Sequence, residues 1–72
     1  MKDSSLGSFL QQLRKENQLT QKELASQLHV TDKAVSKWER DLSAPDISLL
    51  IPLAQILGVS TTELLQGRRM AD

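Results

Sequence analysis

Apolar residues recur along this chain at intervals of three and four, and nowhere do they alternate with polar residues over a strand-length window. Leu6, Phe9, Leu10 and Leu13 make one such stripe and predict a first helix. Ser4 or Ser5 can cap its start, and Asn17 can stop it by entering the left-handed region. TQKE, Thr20 to Glu23, then has the form of a capping box flanked by the staple pair Leu19 and Leu24. The helix it opens continues through Leu24, Ala25 and Leu28 and ends near His29. Thr31 is the next cap, so helices two and three are joined by a turn of about three or four residues, the helix-turn-helix spacing. The short turn implies a steep crossing, and the small Ala25 suits the point of closest approach.

Helix three, about residues 31–40, divides into faces when its residues are placed at about 100° per step. Thr31, Ala34, Val35 and Trp38 fall on the side expected to face inward. Lys33, Lys37 and Arg40 fall opposite, with Ser36 at the edge and Asp32 and Glu39 on the flank between. DLSAPD follows as a loop, with Asp46 as a capping residue. A fourth helix over roughly residues 47–57 carries Leu49, Leu50, Leu53, Ile56 and Leu57. Pro52 is comfortable only in a first turn, so regular helix is expected to begin later than Asp46 suggests. Gly58 reads as its stop. STTE, Ser60 to Glu63, repeats the capping box with Val59 and Leu64 as its staple. Helix five is short, with Leu64 and Leu65 expected inward and Gly67 closing it. The expected organisation is an all-α compact five-helix bundle over residues 1–67, with a tail or the start of a linker at 68–72.

Composition narrows the chemistry. Seventy-two residues fit one small domain, which buries a modest share of its surface. There is no cysteine and a single histidine, His29, so neither a disulfide nor a zinc cage is expected, and no cofactor is implied. MKDSSLGSFLQQL lacks the apolar stretch of a signal peptide, and LLIPLA is too short to span a bilayer, so a cytoplasmic location without membrane contact is expected. Nine basic residues balance nine acidic ones, and net charge therefore gives no argument for nucleic acid. Distribution does. Taken alone, a charged helix face is most often simply solvated. This one lies on the second helix after a tight turn, where an N-terminal half can enter the major groove. Lys33, Ser36 and Lys37 are the candidates for base edges, and Lys can donate to guanine O6 and N7. Asp32 either accepts from cytosine N4 or favours the helix dipole. Gln21, Lys22 and Ser43 are candidates for phosphate contact beside the helix N-termini, along with Arg40 on the basic face.

TQKELA, VSKWE and LGVSTTELLQG, at their fixed distances, resemble the phage repressor and Cro-type (Xre-like) helix-turn-helix family, and the likeness covers nearly the whole chain. The resemblance implies a lambda repressor-like DNA-binding domain whose third helix reads the major groove. It implies that Gln21 clamps a phosphate at the start of helix two and that Asp32, Lys33 and Lys37 read bases, with Ser36 between them. It also implies a partly buried ion pair between Arg14 and Glu39. Two positions depart from the pattern: His29 and Asp41 stand where many relatives have glycine.

Three functions compete. The first is sequence-specific binding of double-stranded DNA by a prokaryotic or phage-type transcriptional regulator, as a dimer on a palindrome, with Leu65, Met70 and the helix-five region as candidate dimer contacts. The second is a protein-interaction module of the same fold, antitoxin-like or cytoskeletal-adaptor-like; such a module has no need of Lys33, Lys37 and Arg40 on one face. An enzyme is the third, and it is rejected because no nucleophile, histidine and carboxylate can assemble around a lone imidazole in a turn.

Overall fold

In the computed structural model, which describes residues 5–69, the chain forms five helices: α1 (Leu6–Glu16), α2 (Gln21–Leu28), α3 (Asp32–Glu39), α4 (Ile47–Leu57) and α5 (Thr61–Gln66). Each starts on a side chain that accepts a backbone N–H in its first turn: Ser5, Thr20, Thr31, Asp46 and Ser60. Both expected capping boxes form, Thr20 with Glu23 and Ser60 with Glu63, and Ser5 makes a third with Ser8. At Asp46 the Ser48 hydroxyl, and then the Ser48 N–H, hold the carboxyl below its usual range.

The core is built from one face of every helix. Phe9, Leu10 and Leu13 meet Leu24, Ala25, Leu28, Val35, Trp38, Leu53, Ala54, Leu57 and Leu64. Helix α3 packs against α2 and α1, while α5 closes the bundle against α1 and α4. Three expectations about packing and helix bounds are corrected. Leu65 does not point inward beside Leu64; it is 64% exposed, because six helical residues have room for only a narrow buried edge. Thr31 is exposed, its hydroxyl accepting the Ala34 N–H rather than packing inward. Helix α4 begins at Ile47 without delay, although Pro52 lies beyond its first turn. The carbonyl deprived of a partner there belongs to Ser48, an exposed residue that water can reach. Ser4 as an alternative cap lies outside the described residues.

The stop of α1 also differs from expectation. Asn17 caps the helix, but with φ −86°, and the left-handed residue is the next one, Gln18, at φ 59°. The Leu19 N–H reaches back to the Arg14 carbonyl and the Gln18 N–H to Lys15, which is a Schellman closure. The Asn17 amide is used elsewhere: it donates to the carbonyls of Leu13 and Leu57, tying the ends of α1 and α4 together. Gln18, His29 and Asp41 all adopt φ 59°, so the two turns lacking glycine keep the left-handed geometry that glycine would provide.

Asp41 puts that conformation to use. Its carboxylate accepts the Ser5 hydroxyl at 2.9 Å and the Gly7 N–H at 3.0 Å, placing negative charge at the N-terminus of α1. The helices can meet this closely only because residue 7 has no side chain. A Cβ there would lie 2.4 Å from the Trp38 carbonyl oxygen, 2.6 Å from Asp41 Oδ1 and 2.8 Å from the Glu39 carbonyl oxygen.

Two predictions arise from this backbone. Helix propensity alone favours Gly→Ala by about 1 kcal/mol. Gly7→Ala should nevertheless destabilise the fold by about 1–3 kcal/mol in urea unfolding, because α1 and α3 must separate. A gain in stability would contradict the close contact. At His29 the opposite holds: His29→Gly relieves a left-handed L-residue and should raise stability by up to about 1 kcal/mol, net of glycine's entropy. A lowered urea midpoint would mean that the imidazole contributes more than its strained backbone costs.

Candidate nucleic-acid interface

The side chains singled out around α3 fall into two sets, one buried and one presented. Val35 and Trp38 are buried, 1% and 6% exposed, and hold the helix to the core. Ala25 is buried on the facing part of α2, and its carbonyl accepts the Val30 N–H that closes the turn. Asp32, Lys33, Lys37 and Arg40 are exposed, and Ser36 is half-buried at the edge of that face. Neither Lys33 nor Lys37 is held in an ion pair among the described residues. Asp32 occupies the first turn of α3, where its charge complements the helix dipole. Arg40 folds back so that its Nε donates to the Ser36 carbonyl at 3.3 Å. Lys22, in the first turn of α2, and Ser43, in the loop after α3, are exposed.

Glu39 is the residue whose placement the helical wheel missed. It does not lie on a solvated flank; its side chain is 1% exposed. Arg14 meets it with two prongs, Nε to Oε2 at 2.6 Å and Nη2 to Oε1 at 3.1 Å. The Arg14 Nη1 donates to the Leu19 carbonyl at 2.8 Å, so the same guanidinium also holds the α1–α2 turn. Gln21 supplies a further donor, its Nε2 lying 3.0 Å from Glu39 Oε1. A buried carboxylate is costly unless its lone pairs are filled, and these are: among the described residues no buried side-chain nitrogen or oxygen lacks a partner.

Gln21 therefore has a role the sequence did not disclose. It is half-buried at the first position of α2, with one amide N–H committed to Glu39 and the other not. Gly7 and Asp41 were likewise not recognised as the clasp between α1 and the end of α3. A signal existed for Gly7, since a glycine inside a helical pattern commonly marks a close approach. Met70 lies outside the described residues. Among the described residues no cluster of three or more His, Cys, Asp or Glu could hold a metal, and no helix is long and apolar enough to cross a membrane.

Comparison with known proteins agrees with this architecture. A family model described as Helix-turn-helix matches residues 10–64. The HTH-type transcriptional activator BcrR of Enterococcus faecalis is 41% identical over 61 residues, covering 85% of this chain and 30% of that protein. The HTH-type transcriptional regulator ImmR of Bacillus subtilis (strain 168) is 39% identical over 61 residues, covering 85% of this chain and 48% of its own length. The chain thus spans about half or less of these curated relatives. Among solved structures, the P22 c2 repressor protein in complex with a synthetic operator superposes with a TM-score of 0.85 at 29% identity, over 90% of this chain and 98% of that one.

The buried pair generates a stability prediction. Arg14→Met leaves the Glu39 carboxylate in the interior without its counter-ion and should cost about 3–5 kcal/mol in urea unfolding. Replacing both partners, as Arg14→Met/Glu39→Leu, should recover most of that loss, because no uncompensated charge remains. A single variant as stable as the parent would show that the pair is solvated rather than buried.

Proposed function

The chain belongs to the helix-turn-helix family, and on that basis we propose that it is the DNA-binding domain of a prokaryotic or phage-type transcriptional regulator, recognising double-stranded DNA by sequence. The observation that carries this reading is the division of α3: Val35, Trp38 and Glu39 are buried, while Asp32, Lys33 and Lys37 are turned to solvent at and beyond the helix start. A helix anchored on one side and polar on the other, after a tight turn, has the form that enters a major groove. The similarity to a repressor solved on its operator supports the same docking.

In this reading Lys33 and Lys37 donate to guanine O6 and N7, and Ser36 contacts the base between them. Asp32 accepts from cytosine N4 or serves the helix dipole alone. Gln21 and Lys22 at the α2 N-terminus hold one phosphate, and Arg40 and Ser43 approach the backbone on the other side of the groove. Two copies bind a palindrome, and the exposed Leu65 on α5 is the contact offered to the second copy. A cytoplasmic site of action follows from the presence of DNA there.

Footprinting on genomic fragments at several salt concentrations tests the reading directly. A protected palindrome with salt-dependent affinity is expected, and absence of protection even at low salt would sink it. Within a recovered site, Lys37→Ala should weaken cognate binding by about 1–3 kcal/mol while affinity for random DNA changes less and melting is unaltered. Equal losses on both duplexes would make Lys37 a phosphate contact and remove it from base reading.

A further inference from the structure

We propose that Glu39 is a positioning residue for DNA binding, its carboxylate holding the Gln21 amide in the orientation that engages a phosphate. This rests on the phosphate role assigned to Gln21 above. The link is a hydrogen bond of 3.0 Å from Gln21 Nε2 to Glu39 Oε1, joining the first residue of α2 to the last of α3. An ionised carboxylate accepts and never donates, so it selects the NH2 end of the amide and fixes which way the amide is turned. One N–H is used in this bond, and the second remains for an anion. It stands at the head of α2, whose first-turn amides carry the positive end of the helix dipole.

The carboxylate is itself held from two sides. Arg14 grips both of its oxygens, at 2.6 Å and 3.1 Å, and is fixed in turn by the Leu19 carbonyl at 2.8 Å. Arg14 also neutralises a charge that would otherwise repel a phosphate brought to the same place. A glutamine on the surface samples many rotamers and must lose that freedom when it clamps a ligand. Here the loss is incurred on folding, so the free protein already presents the donor. The buried pair thereby serves two ends: it joins α1 to α3, and through Gln21 it sets the geometry at the α2 N-terminus.

A double-mutant cycle on DNA binding separates this from a purely structural role. The probe is a short fluorescein-labelled duplex of mixed sequence at low salt, because a phosphate contact needs no particular base. Gln21→Ala should lower affinity about fivefold, through loss of the preorganised donor. Glu39→Gln should lower it comparably, and the two together should be no weaker than Gln21→Ala alone. Thermal melting recorded in parallel should fall for Glu39→Gln in both backgrounds, so stability and affinity part company. Glu39→Gln acts by giving position 39 a donor as well as an acceptor, so the Gln21 amide is no longer held one way round. Should that variant fail to fold, Arg14→Met/Glu39→Leu removes the acceptor altogether without stranding a charge and is expected to give the same non-additive loss. Losses that multiply, or an unchanged affinity in the Glu39 variants, would overturn the inference while leaving the DNA-binding reading intact. Failure of the parent protein to bind any duplex would overturn both.

Discussion

Taking the Glu39 carboxylate out of water obliges the surrounding chain to supply donors for it, and most of the architecture around α3 can be read as meeting that demand. Leaving that carboxylate buried without partners would cost about 3–5 kcal/mol, a large part of a small domain's margin of stability. Arg14 must then come from α1 and Gln21 from α2, so a single side chain on α3 requires three helices to meet at one point. Hydrophobic packing could bring the same helices together in several relative placements. The paired hydrogen bonds of Arg14 admit few, because a guanidinium fork matches a carboxylate only in a plane. The pair is therefore better understood as fixing where α3 stands than as a large source of stability, since apolar residues could substitute for it energetically.

The opposite approach, at the start of α1, is set first by sterics. Gly7 lets the carbonyls at the end of α3 come within the space that a Cβ would occupy, and Asp41 then turns left-handed to close over it. The residue that departs from the family's glycine thus does more than tolerate a strained turn. Its carboxylate accepts the orphan Gly7 N–H at the α1 N-terminus and the Ser5 hydroxyl beside it, which compensates for the backbone cost of an L-residue at positive φ. His29 and Gln18 hold the same φ without such a side-chain bond among the described residues, and they show how far Schellman hydrogen bonding alone can impose this conformation.

Features specified by neighbours in sequence were legible beforehand. The five helices, the Thr20–Glu23 and Ser60–Glu63 capping boxes and the stripe from Leu6 to Leu13 each depend on residues within two turns of one another. Trp38 could be assigned to the core by angle alone. What escaped were contacts across 18 and 34 positions, Gln21 with Glu39 and Gly7 with Asp41, for which periodicity carries no information. The Arg14–Glu39 pair was available only through family resemblance, because a helical wheel places Glu39 on a flank and cannot see the arginine opposite. Leu65 was misplaced for a different reason: in six residues, a shift of one step decides which side is buried. For the interface itself, the sequence identified exposed polar positions on α3, and nothing local to them could reveal how Gln21 was already engaged.

On the proposed reading, net neutrality shapes how such a domain finds its site. Nine cations against nine anions provide no long-range pull toward DNA, and the counterion release that drives non-specific binding is confined to a few lysines and arginines. Asp32 reduces it further, since a carboxylate at the head of α3 is repelled by phosphates wherever no cytosine amino group meets it. Both effects weaken binding to arbitrary sequence and so raise the ratio of specific to non-specific affinity. The cost is that little attraction remains to offset a badly placed donor. Affinity must then come from hydrogen bonds whose geometry is settled before DNA arrives, which is why the order imposed by a buried carboxylate matters more in this domain than in one carrying a strong positive charge.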